Sequence, residues 1–179
     1  EGPNGAVRLA DLFGTKSQLI VYHFMFDPKD TEGCPLCSFW ADNFDGLGAH
    51  LAARDTAMVA ISRAPLATIE PFRKRMGWTF PWYSSSGNRF NFDYHVSHPP
   101  GQTEADYNYR IGRSWGEETP GISVFTKQPD GAVVHTYSCY SRGLDMMNTA
   151  YHYLDLTPKG RDEQDLQFTM SWVRHHDRY

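Results

Sequence analysis

Residues 18–37 read QLIVYHFMFDPKDTEGCPLC. Gln18 to Phe26 is a nearly continuous apolar and β-branched run, the pattern of a strand buried on both faces in a parallel sheet covered by helices. The polar loop Asp27 to Gly33 follows, then Cys34-Pro35-Leu36-Cys37. Beyond it Leu36, Trp40, Phe44, Leu47 and Leu51 recur at spacings of four, four, three and four, which is one face of a helix. Gly46 and Gly48 weaken that helix by about 1 kcal/mol each. A thiol at a strand-to-helix junction faces free backbone N–H groups and the positive end of the helix dipole, so its thiolate is stabilised. A second thiol one turn later can reach back to the first, which permits attack by one cysteine and resolution by the other.

The flanking chain extends this unit. Thr56 to Ser62 (TAMVAIS) reads as a second strand. Pro65 suits the first turn of a helix. Leu66, Ile69, Phe72 and Met76 mark its apolar face, and Gly77 suits its stop. Pro71 conflicts with it, because an internal proline removes a hydrogen bond. Residues 78–118 read as an insertion, with a short strand at Trp78 to Tyr83 and a loop at His98-Pro99-Pro100-Gly101. Gly121 to Phe125 and Ala132 to Tyr137 flank Pro129-Asp130-Gly131 as an antiparallel hairpin. Leu144, Met147, Tyr151 and Leu154 then share one helical face, which Pro158-Lys159-Gly160 ends. The order predicts a single α/β domain over residues 1–179: a mixed central sheet with helices on both faces and an insertion before the β-hairpin.

Composition removes several function classes. The 179 residues carry 17 basic and 21 acidic side chains, a net charge of -4. A non-specific nucleic-acid binder needs a basic stripe, so no nucleic-acid partner is expected. No apolar run approaches the roughly 18–20 residues of a membrane helix, so no membrane partner is expected either. The 3 cysteines are too few, and odd in number, for a disulfide scaffold. The expected compartment is the reducing cytoplasm, where C-x-x-C is redox-active or metal-binding more often than structural. The chain begins Glu1-Gly2-Pro3 rather than with Met, so a removed leader stays open.

The order of elements resembles the thioredoxin fold. VYHFMF, EGCPLCSFWADNFDG, HLAARD, ISRAPLA, FRKRMGW, FPW and YLDLTPKGRDE resemble a thioredoxin-like family known as domain of unknown function 899, sometimes labelled a predicted dithiol-disulfide oxidoreductase. The resemblance covers essentially the whole chain. It implies the fold and a thiol-disulfide oxidoreductase whose paired cysteines match Cys34 and Cys37; the strand-to-helix context makes Cys34 the expected nucleophile and Cys37 the resolving thiol. Pro120 stands in Thr119-Pro120-Gly121, where thioredoxin-like proteins carry a cis proline packed against the active cysteines. A weaker resemblance links Pro28-Lys29-Asp30-Thr31-Glu32-Gly33-Cys34 to the P-x-x-x-T-x-x-C loop of peroxiredoxins, one residue short between Pro28 and Thr31. It implies a thiol peroxidase as an alternative, in which Thr31 would hydrogen-bond at Cys34.

The histidines offer further chemistry. His23 lies in the first strand, as a core histidine or as a proton-moving group near the thiols. Alternation puts Leu19, Val21, His23 and Met25 on one face. Cys34 and Cys37 with His23, His95 and His135 would suit Cu or Zn, making a metal-binding protein or metalloenzyme a further alternative. The leading reading requires no cofactor and takes a protein or small-molecule thiol or disulfide as partner. Cys139 reads as a small buried residue or a third, resolving thiol. Arg73-Lys74-Arg75, His175 and His176 read as solvated, Arg142 as structural. The aromatic cluster around Trp78, Trp82, Phe90, Phe92 and Tyr94 reads as core or as a substrate groove.

Overall fold

The computed structural model describes residues 1–179. A five-stranded mixed sheet forms its centre, built from β1 (Gln18–His23), β2 (Thr56–Ser62), β3 (Trp82–Ser84), β6 (Gly121–Lys127) and β7 (Val133–Tyr140) in the order β3-β2-β1-β6-β7. β1 runs parallel to β2 and antiparallel to β6, and β6 and β7 form the expected hairpin. Between them lie α1 (Pro35–Ala41), α2 (Leu47–Ala53), α3 (Leu66–Arg75) and α4 (Phe90–Asp93); α5 (Thr149–Asp155) follows the hairpin. A separate ribbon of β4 (Glu104–Tyr107) and β5 (Arg110–Arg113) stands outside the sheet. This is the thioredoxin-like α/β architecture.

Strand alternation divides the interior in two. Tyr22, Phe24 and Phe26 point into the larger core, with Cys37 and Trp40 of α1, Ile69 and Phe72 of α3, Trp82, and Tyr151 of α5. Leu19 and Val21 point the other way, into a smaller core with Leu12, Phe13, Val59, Ile61 and Phe125, against which Phe90 of α4 packs. Buried polar bonds tie the layers together. The Trp82 indole donates to Ser62 Oγ at 2.9 Å, Ser62 Oγ donates to the Phe24 carbonyl at 2.8 Å, and the Trp40 indole donates to the Leu144 carbonyl at 2.7 Å.

Three expectations are corrected. The predicted first helix is two: α1 stops at Ala41, and Gly46, at φ 87°, turns the chain before α2. That left-handed conformation is cheap for glycine alone. The short strand expected at Trp78 to Tyr83 lies at Trp82–Ser84, where it pairs with β2 as the sheet's edge strand. The last helix is split into a 3-10 stretch, Ser141–Met147, and α5, with Asn148 between them accepting the Tyr151 N–H. Pro71 sits within α3, on its exposed side.

Candidate functional site

The loop after β1 places the two cysteines. Cys34 donates its N–H to the Met25 carbonyl at 3.1 Å, which folds the loop back on the strand it left. Pro35 then opens α1, where its missing N–H costs nothing. The Cys34 carbonyl accepts from both the N–H and the hydroxyl of Ser38, each at 3.0 Å. Cys37 lies one turn on, 1% exposed, while Cys34 keeps a partly open face. No cysteine is paired in a disulfide.

The two sulfurs sit in opposite electrostatic surroundings. The Cys37 thiol, followed by the backbone N–H groups of Cys37 and Leu36, holds Cys34 below the ordinary thiol range, against burial and the nearby Asp30. Burial, reinforced by Cys34, pushes Cys37 well above that range; the Tyr22 hydroxyl and the Met25 N–H, 3.4 Å from its sulfur, act the other way. Cys34 is therefore the thiol that ionises first. Since the thiolate is the nucleophile, it is also the sulfur equipped to attack.

Cys34 opens into a cavity of about 390 Å³, whose walls include Asp27, Asp30, Glu117 and Glu118. Lys29 pairs with Glu117 at 2.6 Å and Arg63 with Glu118 at 2.8 Å, so the two local cations are already engaged. Glu118 also accepts from Ser97 at 2.8 Å. Burial raises its carboxyl to about 7, against the Ser97 and Arg63 bonds. The folded state thus holds the proton more tightly than the unfolded chain. The resulting stability is fully present below the ordinary carboxylate pKa and is lost as pH rises through about 7, an effect of order 1–3 kcal/mol. Glu118→Gln is expected to flatten the fall in stability over that window. It should also lower the pH midpoint of Cys34 alkylation, because a further negative charge no longer develops in the cavity. Denaturant melts and alkylation rates across pH measure both, and an unchanged alkylation midpoint would detach Glu118 from the thiol.

The structure treats the other candidates differently. Pro120 precedes Gly121, which pairs with His23 at the end of β1, so its segment lies where the cysteine loop leaves the sheet. Its peptide bond is trans, not the cis form the resemblance implies, and its carbonyl accepts a 2.6 Å bond from the Tyr107 hydroxyl on the outlying ribbon. His23 faces the smaller core, away from Cys37, because β1 presents Tyr22 and not His23 to the dithiol. Burial, aided by His135, depresses His23 to about 3 and keeps it neutral. It joins a hydrogen-bonded chain that leads from the buried His23 Nε2 to Ser123 Oγ (2.9 Å), on to Ser138 Oγ (2.9 Å) and out to Nε2 of the exposed His135 (2.7 Å). Met25 does not share that face, since β1 ends at His23 and Met25 turns toward Cys34. His95 lies beside Asp106, and His98 is buried near Thr119. The proposed Cu or Zn ligands are thus dispersed, and no group of three His, Cys, Asp or Glu side chains is placed to hold a metal.

Thr31 is exposed and makes no hydrogen bond to Cys34; it lines a different cleft with Pro71 and Arg75. Cys139 is buried on β7, where burial raises its thiol pKa. Arg142 binds Asp145 at 2.7 Å rather than Cys34 or Cys37. Arg75, expected in solvent, pairs with Glu32 and Asp177. His175, also expected in solvent, is 3% exposed: its Nε2–H donates to the Gly33 carbonyl and its Nδ1 accepts from Arg75, both at 2.8 Å. Tyr22, Tyr107 and Glu118 were not singled out by the sequence, and His175 only as a solvated residue. Tyr22 alone had a signal there, lying on the β1 face opposite His23.

The chain shares its architecture with solved peroxiredoxins. Peroxidoxin BcpB from Mycobacterium tuberculosis superposes with a TM-score of 0.51 at 14% identity, over 80% of this chain and 82% of that one. A cysteine-to-serine mutant of Xylella fastidiosa PrxQ superposes with a TM-score of 0.50 at 14% identity, over 85% and 86%. No curated protein matches the sequence. The model of a family described as "Bacterial protein of unknown function (DUF899)" matches residues 1–179. With a C-x-x-C pair on a thioredoxin-like frame and that match over its whole length, the chain belongs to the DUF899 family.

Proposed function

We propose that the protein is a two-cysteine thiol oxidoreductase in which Cys34 attacks a reducible electrophile and Cys37 closes a disulfide onto it. The carrying observation is the contrast between two sulfurs one helical turn apart: one partly open and held low in pKa, the other buried and held high. The first electrophile proposed is a peroxide. The fold likeness to peroxiredoxins and the Pro28–Cys34 loop support it. The Cys34 thiolate attacks one peroxide oxygen and the O–O bond breaks. Cys34 becomes a sulfenic acid, and water or an alcohol leaves after taking up a proton. The Cys37 thiolate then attacks the Cys34 sulfur and expels hydroxide, which leaves as water. An external dithiol must restore the pair.

The second reading is exchange with a disulfide substrate, and the exposed Thr31 favours it, because that side chain makes no contact at Cys34. Cys34 would then carry a mixed disulfide instead of a sulfenic acid, which Cys37 resolves in the same way. Reduced Cys37→Ser protein separates the two. With hydrogen peroxide or an alkyl hydroperoxide it should accumulate a sulfenic acid on Cys34. Formation of a mixed disulfide with a small disulfide, but of no sulfenic acid with either peroxide, would replace the first reading by the second.

The acid-lined cavity supports a charge preference for any disulfide that enters. Cystamine, which is cationic, should react several-fold faster than anionic glutathione disulfide at low ionic strength, and added salt should erase the difference. Equal rates at low salt would show that the carboxylates do not face the entering group.

A further inference from the structure

Tyr22 is fully buried in the core that also holds Cys37 and against which Cys34 packs, yet its hydroxyl has no hydrogen-bond partner. Buried polar atoms almost always find partners, and phenylalanine would fill the same space without the cost. Burial first, then Cys37 and Cys34, push this hydroxyl well above the ordinary phenol range, so it stays protonated. Cys37 takes its other contact from the Met25 N–H. A neutral thiol is a weak acceptor, whereas a thiolate accepts a short, charge-assisted bond. The orphaned phenol thus stands beside a sulfur that becomes a strong acceptor only when it ionises.

We propose that Tyr22 is the hydrogen-bond donor to the Cys37 thiolate during the resolving step. The inference rests on the two-cysteine reading above and holds for either electrophile. In that step Cys34 carries a leaving group, thiolate or hydroxide. The Cys37 thiolate attacks the Cys34 sulfur and the Cys34–Cys37 bond forms. The bond from Cys34 to the leaving group breaks, and the leaving group departs with the electron pair and takes up a proton from solvent, matching the one Cys37 released. The electrophile has gained the two electrons the thiols have lost. Tyr22 keeps its proton throughout and acts as a preorganised dipole aimed at transient charge in a water-poor core. It lessens the penalty that burial places on Cys37 without making that cysteine reactive at rest.

The test is Tyr22→Phe, read in two ways. In protein whose sole cysteine is Cys37 (Cys34→Ser, Cys139→Ala), loss of the S–H infrared stretch with pH reports the Cys37 midpoint without interference from tyrosines. Tyr22→Phe should raise that midpoint by about one pH unit. In protein with both active cysteines, the first attack by Cys34 should keep its rate while the resolving step slows about tenfold, the loss of one charge-assisted bond. An unmoved Cys37 midpoint overturns the inference, as does equal slowing of both steps, which a merely structural role would give. A raised midpoint in a protein where Cys37→Ser does not change the fate of the Cys34 adduct would overturn the two-cysteine reading and leave the Tyr22–Cys37 bond standing.

Discussion

Cys34→Ser is expected to abolish turnover with every electrophile, by on the order of 10³-fold or more, as loss of a covalent nucleophile does. Cys37→Ser should behave differently. It should keep the first chemical step and stop after it, with the adduct still on Cys34. The asymmetry follows from the environments of the two sulfurs. The Cys34 thiolate is stabilised by the Cys37 thiol and two backbone N–H groups and reaches an open cavity. Cys37 is sealed in the core and pays a heavy desolvation cost to ionise. It becomes a useful nucleophile only toward a sulfur one turn away, where proximity replaces intrinsic reactivity. Rapid quench followed by intact-mass measurement distinguishes the outcomes. An adduct on Cys37→Ser and none on Cys34→Ser is the expected pair. Equal adducts on both would reverse the assignment, and adducts surviving only on a Cys139 thiol would remove both residues from the chemistry. Cys139→Ser should leave the first step intact, because that thiol is buried on β7 with its pKa raised.

The elements that carry this chemistry are local ones, and local patterns are what a sequence displays. The run from Gln18, the cysteine pair and the proline that opens α1 follow one another within twenty residues. Strand, loop and helix start can therefore be read in order. The hairpin is legible for the same reason, since a turn of Pro129, Asp130 and Gly131 separates two apolar runs. Alternation along β1 is equally plain, but it identifies two faces without saying which one α1 will cover. His23 drew attention as a titratable group, whereas Tyr22, its neighbour, meets the dithiol. The cavity wall could not be read at all. Glu118 acquires its raised pKa from burial beside Arg63 and Ser97, which are far from it in sequence. The support of the cysteine loop by His175 spans 142 residues. A charged C-terminal segment reads as solvated until its partners Glu32, Arg75 and Gly33 are seen gathered in one place.

Gly33→Ala tests that support directly, and its expected effect reaches both stability and reactivity. Gly33 precedes Cys34, and its backbone is not in the left-handed region, so the constraint is space rather than conformation. A β-carbon there would lie 2.7 Å from Cε1 of Phe24 and 2.7 Å from Cε1 of Phe72. Neither ring can yield easily. Phe24 is fully buried and packs against Tyr22, Phe72, Trp78 and Trp82; Phe72 is held between α3 and the sheet and meets the His175 ring. Nor can the loop withdraw freely, because the Gly33 carbonyl is fixed by His175 and the Cys34 N–H by Met25. Overpacking of this kind costs about 1–3 kcal/mol. Relief by a shift of the loop would pull Cys34 from the N–H groups of Leu36 and Cys37, so the Cys34 midpoint for alkylation should rise as the melting temperature falls. His175→Ala releases the carbonyl and offers a route of relief. Gly33→Ala combined with His175→Ala should therefore destabilise by less than the sum of the two single changes. Strict additivity, or a Gly33→Ala protein with unaltered melting and an unaltered Cys34 titration, would mean that the loop is free to move. The low pKa of Cys34 would then rest on the Cys37 thiol and the N–H groups of Cys37 and Leu36 without help from the aromatic wall and the C-terminal histidine that hold the loop against them.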